Sequence, residues 1–181
     1  HLVSDSGFVN LSSNENRQNL LISFRNFDGE TIELLENWSA EKTLDSLYIK
    51  EDFVLSHSYL YGSKKIIKTL TFYPESFAFD IELDMTPLSN NLLEEKFSFS
   101  WNGGLPPTEK DSTAEEYFFG TYLYQGGELL DVKAGKGDSF NNDYRGKTDW
   151  IATRSKYFVA AAIATKETEF LGVSVSGSNN K

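Results

Sequence analysis

Phe77-Ala78-Phe79-Asp80-Ile81-Glu82-Leu83-Asp84-Met85 is the stretch on which the fold turns. Phe77, Phe79, Ile81, Leu83 and Met85 face one way and Ala78, Asp80, Glu82 and Asp84 the other, the period of two that belongs to a strand with one wet face. Upstream, beyond the break at Pro74-Glu75-Ser76, Ile66 to Tyr73 is β-branched and aromatic. A tight Gly62-Ser63 turn with Lys64 and Lys65 separates that run from Phe53 to Tyr61. There Phe53, Leu55, His57, Tyr59 and Tyr61 share a face, with Ser56 and Ser58 opposite.

The same alternation extends outward in both directions. Leu20, Ile22 and Phe24 form one face near the start, and Pro87 to Asn91 read as a loop. Phe97, Phe99 and Trp101 alternate with Ser98 and Ser100 until Asn102-Gly103-Gly104 and the Pro106-Pro107 pair stop the strand. Asp111 to Glu116 has the look of a capping box, yet it runs into Tyr117-Phe118-Phe119-Gly120-Thr121-Tyr122-Leu123-Tyr124, so a strand is expected there. Residues 134–148 are polar and glycine-rich and read as the longest loop. Trp150-Ile151-Ala152 opens a strand. Tyr157 to Ala164, the longest apolar run, suits a buried strand, and Phe170 to Val175 a last one with Leu171, Val173 and Val175 on one side. Helical periodicity is weak and confined to Ser39 through Leu44. About nine strands at spacings of roughly 8 to 20 residues predict an all-β antiparallel sandwich, with no internal repeat.

At 181 residues the chain is expected to form a single domain over residues 1–181 with a sizeable core. Its formal charge of −10 argues against nucleic acid and against docking on anionic lipid, both of which attract cationic surfaces. Without cysteine there is no disulfide framework, thiolate metal site or thiol nucleophile. No stretch approaches the roughly 18 to 20 apolar residues of a membrane helix. The opening His1-Leu2-Val3-Ser4-Asp5 has no signal-peptide pattern, and the closing Ser176-Gly177-Ser178-Asn179-Asn180-Lys181 reads as a loop cut through. A domain taken out of a longer protein is the expectation.

Candidate chemistry is sparse. Asp80, Glu82 and Asp84 on one strand face could meet a hard cation, but alternating acids are the ordinary solvated side of a strand. Asp138, Asn141, Asn142 and Asp143 offer oxygen ligands without the spacing of an EF-hand loop, and a flexible polar turn is expected. His57 stands in line with Phe53, Leu55, Tyr59 and Tyr61, where a packed histidine is the simpler reading. No spacing singles out a pair of carboxylates for acid–base work, and Gly135-Lys136-Gly137 lacks the strand-to-helix setting of a phosphate loop. Asn10-Leu11-Ser12 and Asn37-Trp38-Ser39 fit the short glycosylation pattern, which is common by chance. Aromatic side chains are the most promising feature. Trp38, Trp101, Tyr117, Phe118, Tyr122 and Tyr124 could build a platform for a sugar or an extended peptide, core packing being the alternative for each.

Three blocks carry a family resemblance. Lys68-Thr69-Leu70-Thr71-Phe72-Tyr73-Pro74-Glu75-Ser76-Phe77-Ala78-Phe79-Asp80-Ile81-Glu82-Leu83 resembles the K-T-[FL]-T-F, break, [YF]-x-[IVF]-x-[VI] signature of the periplasmic domain of bacterial YidC membrane protein insertases, of the YidC/Oxa/Alb family. Phe118-Phe119-Gly120-Thr121-Tyr122-Leu123-Tyr124 is similar to the family's F-x-G-x-x-Y segment. Asp149-Trp150-Ile151-Ala152-Thr153-Arg154-Ser155-Lys156-Tyr157-Phe158-Val159-Ala160-Ala161-Ala162-Ile163 is similar to its G-W-[IV]-A-x-x-x-x-Y-F-x-x-A-[WI] run, with Asp149 where many members have Gly. The family's marked opening strands, its last strands and its following helix are not recognisable here.

The resemblance implies an antiparallel β-supersandwich, similar in architecture to galactose mutarotase and here lacking edge strands, on the periplasmic side of the inner membrane. It implies a non-catalytic part of a protein that inserts and folds membrane proteins, with no cofactor, no metal, and membrane contact only through segments outside this chain. Secretory translocon subunits and membrane-protein clients are the partners it implies. Phe72, Phe79, Gly120, Trp150, Tyr157 and Phe158 become family-signature residues with structural roles, while Trp38, Trp101, Tyr117, Tyr122 and Tyr124 remain the candidate partner surface. A carbohydrate-binding or mutarotase-like sandwich, holding a weak sugar or peptide ligand in a groove, is the alternative. Mutarotase-like enzymes take their acid and base from a His and a Glu, so His57 would have to serve. A free-standing adhesin-like module is a further option.

Overall fold

A computed structural model describes residues 11, 19–35, 38–42, 46–108, 115, 117–132, 139–166 and 168–178. The fold is all-β and antiparallel throughout the described residues. The chain resolves into two compact units, one of Gln18–Asn102 and another that takes in Gly103–Lys181.

The 18–102 unit holds two sheets. β1 (Leu21–Arg25) lies between β2 (Thr31–Glu33) and β7 (Phe97–Ser100). The other sheet runs β3 (Ser39–Ala40), β4 (Phe53–Tyr61), β5 (Lys64–Phe72), β6 (Phe79–Asp84). Ile22 and Phe24 of β1 and Ile66 of β5 meet in one core with Leu34, Met85, Leu88 and Leu92, so these sheets form a sandwich. Gly62, at φ +61, occupies the first position of the two-residue β4–β5 turn, where a left-handed residue matches the twist of the strands. Asp80, Glu82 and Asp84 are exposed, as their alternation predicts.

Several sequence expectations shift. β6 begins only at Phe79; Phe77 is fully exposed, because Glu75 at φ +55 turns the chain before the ladder starts. Pro87 to Asn91, expected as a loop, forms a 3₁₀ turn over Thr86–Asn91 that seats Leu88 in the core. Ser39 and Ala40 pair with β4 instead of starting a helix, and residues 43–45 lie outside the described residues.

Among the described residues the 103–181 unit holds one five-stranded sheet: β8 (Gly120–Gln125), β9 (Glu128–Val132), β10 (Ser139–Arg154), β11 (Val159–Ile163) and β12 (Phe170–Ser178). Gly126 and Gly127, both at positive φ, close the β8–β9 hairpin. The stretch expected as the longest loop is instead, from Ser139 onward, the first half of a 16-residue strand, so Asn141, Asn142 and Asp143 lie in a ladder with β12. Pairing with β12 overrides the polar composition, since Phe140 and Tyr144 keep a period of two that the intervening Asn and Asp obscure. Asp138 and the Gly135-Lys136-Gly137 fragment lie outside the described residues. The strand expected over Tyr117 to Tyr124 starts only at Gly120, and Asp111 to Ala114 are likewise outside the described residues.

β10 carries a bulge between Arg145 and Thr148, where Gly146 adopts φ +116. Gln125 Nε2 pins it by donating to Gly146 O at 3.0 Å and to the fully buried Thr148 Oγ1 at 2.9 Å. Below the sheet's start, buried Glu115 accepts from the Thr108 backbone N–H at 2.7 Å and from its hydroxyl at 2.9 Å.

Candidate interaction surface

The register of the five-stranded sheet sorts its side chains into two faces. Trp150 pairs with Tyr124 and Ile163, Ala152 with Tyr122 and Ala161, and Arg154 with Val159 and Gly120. Across the next ladder Tyr124 pairs with Leu129 and Tyr122 with Asp131. One face therefore carries Tyr122, Tyr124, Trp150, Leu129, Val159 and Ile163 together. The opposite face carries Leu123, Val132 and Thr148, which are buried, with Ile151 and Leu130 half-buried. The core lies on the Leu123 side. The aromatic face looks outward, with Leu129 61%, Val159 65% and Ile163 68% exposed.

The aromatic face is ordered internally. The Tyr124 and Trp150 rings stack at 6.0 Å and 7°. Tyr122 lies across Gly120, where a Cβ would come within 2.9 Å of its ring and hydroxyl. Glycine leaves the ring that room, and the Arg154 guanidinium covers the same ring at 5.5 Å from its centre. At the β10–β11 turn the Ser155 hydroxyl accepts from the Tyr157 and Phe158 amides, and the exposed Tyr157 carries Lys156 at 5.0 Å over its ring.

The structure thus brings Tyr122 and Tyr124 together and adds Trp150, which the sequence places among structural residues. Tyr117 stands ahead of β8 and is 86% exposed, beside exposed Phe118. Trp101 follows β7 and is partly exposed in the other unit. Trp38 packs against the 18–102 core: its Nε1 donates to Leu34 O at 3.0 Å, and Tyr59 sits 5.4 Å away. Phe72 and Phe79 stack at 5.2 Å across β5 and β6, and Phe158 is half-buried. Leu129, Val159 and Ile163 are the residues that sequence reasoning missed. Tyr157 to Ala164, expected as a buried strand, supplies an edge strand, because among the described residues β11 ends the sheet order and its alternate side chains face outward.

The titratable groups form no catalytic constellation among the described residues. His57 is half-buried beside its cross-strand neighbour Lys68, with Nδ1 buried and lacking a hydrogen-bond partner. Burial, then the Lys68 charge, holds it below the ordinary histidine value. Lys68 itself is buried, its Nζ 4.3 Å over the Trp38 ring, and burial pushes it below the ordinary lysine range. No group of acids and histidines among the described residues is arranged to hold a metal ion. Among them no helix is long and apolar enough to cross a membrane.

Comparison with known proteins now bears on the three sequence blocks. The family model described as YidC periplasmic domain matches residues 3–180. The chain belongs to the YidC periplasmic-domain family. It is similar to a membrane protein insertase YidC of Chlorobaculum parvum, 31% identical over 98% of this chain and 31% of the relative. It is similar to another from Chlorobium luteolum, 30% identical over 93% of this chain and 30% of the relative. The chain therefore spans about a third of the length of these curated relatives. No solved structure matches it. Within this YidC family assignment, Phe72, Phe79 and Gly120 occupy the structural positions just described, whereas Trp150 lies on the outward face.

Proposed function

We propose that the chain is a non-catalytic periplasmic domain of a YidC-type membrane protein insertase, standing on the periplasmic side of the inner membrane as a contact surface for translocon subunits or membrane-protein clients. The observation that carries this reading is the outward aromatic and aliphatic face of the β8–β12 sheet, in a chain matched to the family from residue 3 to residue 180. An exposed apolar patch of this kind on a folded unit marks a surface that another macromolecule covers. The extent of the family match supports taking both compact units as parts of one domain, and any membrane attachment falls to segments outside this chain. The test places a photo-crosslinking residue at Leu129 or Ile163 in the full-length insertase. Adducts with translocon or client polypeptides are expected, and their absence, with adducts forming from an acidic β6 position such as Glu82 instead, overturns the choice of face.

The parallel Tyr124–Trp150 pair also favours a second reading, a carbohydrate platform. Calorimetric titration with galactose and glucose separates the two. Heat of binding that disappears in Trp150→Ala would support the sugar site, and no heat is expected from the contact-surface reading.

A further inference from the structure

The β11 strand, Val159-Ala160-Ala161-Ala162-Ile163, is the one edge strand among those described in which every side chain is apolar. The other edges are blunted in recognisable ways. β6 carries Asp80, Glu82 and Asp84, β9 carries Glu128 and Asp131, β2 and β3 are short, and β7 and β12 are interrupted by serine or glycine.

The polar groups that β11 offers follow from its hydrogen-bond register. Ser155 N donates to Phe158 O at one end of the β10–β11 ladder, and Ala164 N donates to Asp149 O at the other. Hydrogen-bonded and non-hydrogen-bonded pairs alternate in an antiparallel ladder. Counting inward from either end gives the same assignment: Thr153–Ala160 and Ile151–Ala162 are hydrogen-bonded pairs, while Arg154–Val159, Ala152–Ala161 and Trp150–Ile163 are not. The N–H and C=O groups of Val159, Ala161 and Ile163 therefore point away from β10. Among the described residues the sheet order ends at β11 and no described strand takes up these groups, so they form a free ladder edge there, and the side chains of the same three residues lie on the exposed aromatic face.

We propose that β11 is a strand-addition site that receives an extended, apolar segment of another protein with acidic flanks, the segment pairing with the free edge and laying alternate side chains beside Val159 and Ile163. A second copy fits poorly. Arg154 and Lys156 precede β11 and Lys166 follows it, so an antiparallel pair of such edges would bring like charges together over a seam only about 17 Å long. The same cations favour aspartate or glutamate beside the apolar segment. The inference deepens the contact-surface reading of the domain and rests on it.

The test uses the whole chain and a short synthetic peptide of alternating Val and Thr flanked by glutamates. In the free chain, hydrogen exchange is expected to be fast at Val159, Ala161 and Ile163 and slow at Ala160 and Ala162; the peptide should slow the first three. Ala161→Pro removes only an outward N–H and spares the β10 ladder, so it should weaken binding at least tenfold, about 1.4 kcal/mol. Ala161→Glu should do the same, and so should methylating the peptide's own amides, a change that leaves the protein untouched. Binding that survives all three, or protection that appears elsewhere on the chain, overturns strand addition while leaving the crosslinking test of the contact role standing. Protection of the three amides before peptide is added, together with a dimer mass in sedimentation, overturns it in favour of self-pairing.

Discussion

Replacing Leu123 and Trp150 with alanine, one at a time, asks which face of the five-stranded sheet is the core. The two residues lie on adjacent strands, Leu123 opposite Ile151 and Tyr124 opposite Trp150, so they sample nearly the same place from opposite sides. Leu123 is 0% exposed. Its truncation removes three carbons, worth about 2.4 kcal/mol at roughly 0.8 kcal/mol each, and leaves a cavity that raises the loss to about 3 to 4 kcal/mol. Trp150 has the larger side chain but only partial cover, chiefly its stack on Tyr124 and its neighbours along the strands. Losing the stack is worth about 0.5 to 1.5 kcal/mol, and the remaining partial burial brings the total to about 1 to 2 kcal/mol. A fully buried tryptophan would cost about 3 to 5 kcal/mol. Urea unfolding followed by far-ultraviolet circular dichroism measures both, provided the slope with denaturant is unchanged. Leu123→Ala should shift the midpoint about twice as far as Trp150→Ala. An equal or larger shift for Trp150→Ala would refute the assignment of faces, and with it the outward aromatic surface.

Other substitutions check particular contacts. Because His57 titrates below its ordinary value, the unfolded chain binds a proton in the window beneath about 6.5 that the folded chain does not, so stability falls as pH drops through that window. His57→Gln should flatten this loss in unfolding midpoints taken between about pH 7 and pH 5. The Tyr73 hydroxyl donates to Asp80, and that bond, aided by the carboxylate charge, raises its pKa; Asp80→Asn should bring it back toward the ordinary value in an NMR titration of the ring, with little change in stability. Two glycines should behave differently in the same unfolding assay. A Cβ at Gly172 would lie 2.9 Å from the backbone oxygen of Tyr144, so Gly172→Ala should cost about 1 to 3 kcal/mol, whereas the Cβ at Gly120 meets only the movable end of Tyr122 and Gly120→Ala should cost less.

Alternation made much of the fold legible. Phe53 to Tyr61, Ile66 to Phe72 and Phe79 to Asp84 read as neighbouring strands and pair as such, because one buried and one wet face leave a period-two trace in composition. Ser139 to Asp149 left only the faint trace of Phe140 and Tyr144. Its ladder with β12 is held by backbone bonds while many of its side chains, Asn141, Asp143, Arg145 and Lys147 among them, face water, so the composition is that of a loop. The candidate surface was half legible for a related reason. Tyr122 and Tyr124 announced themselves as aromatics on one side of a strand, but the position of Trp150 beside them depends on a register shift between Thr148 and Trp150 and a ladder between residues far apart in sequence. An apolar run such as Tyr157 to Ala164 carries no mark that separates a central strand from an edge.

Among the described acids, Glu33, Asp80, Glu82, Asp84, Glu128 and Asp131 lie on edge strands of the sheets. Acids there have a physical use, since a charged edge repels another strand. Against that background the exposure of Val159 and Ile163 costs the folded chain something. Each forgoes up to about 1.5 to 3 kcal/mol that full burial would return. Lysine or threonine at those positions would spare the exposure without disturbing Ala160 and Ala162, which face the Leu123 side. The fold by itself therefore gives no reason for valine and isoleucine on the outward face of an open edge. Covering by another polypeptide supplies one: the burial absent from the isolated chain becomes available on contact, in a place where the remaining edges are guarded by charge, brevity or interruption.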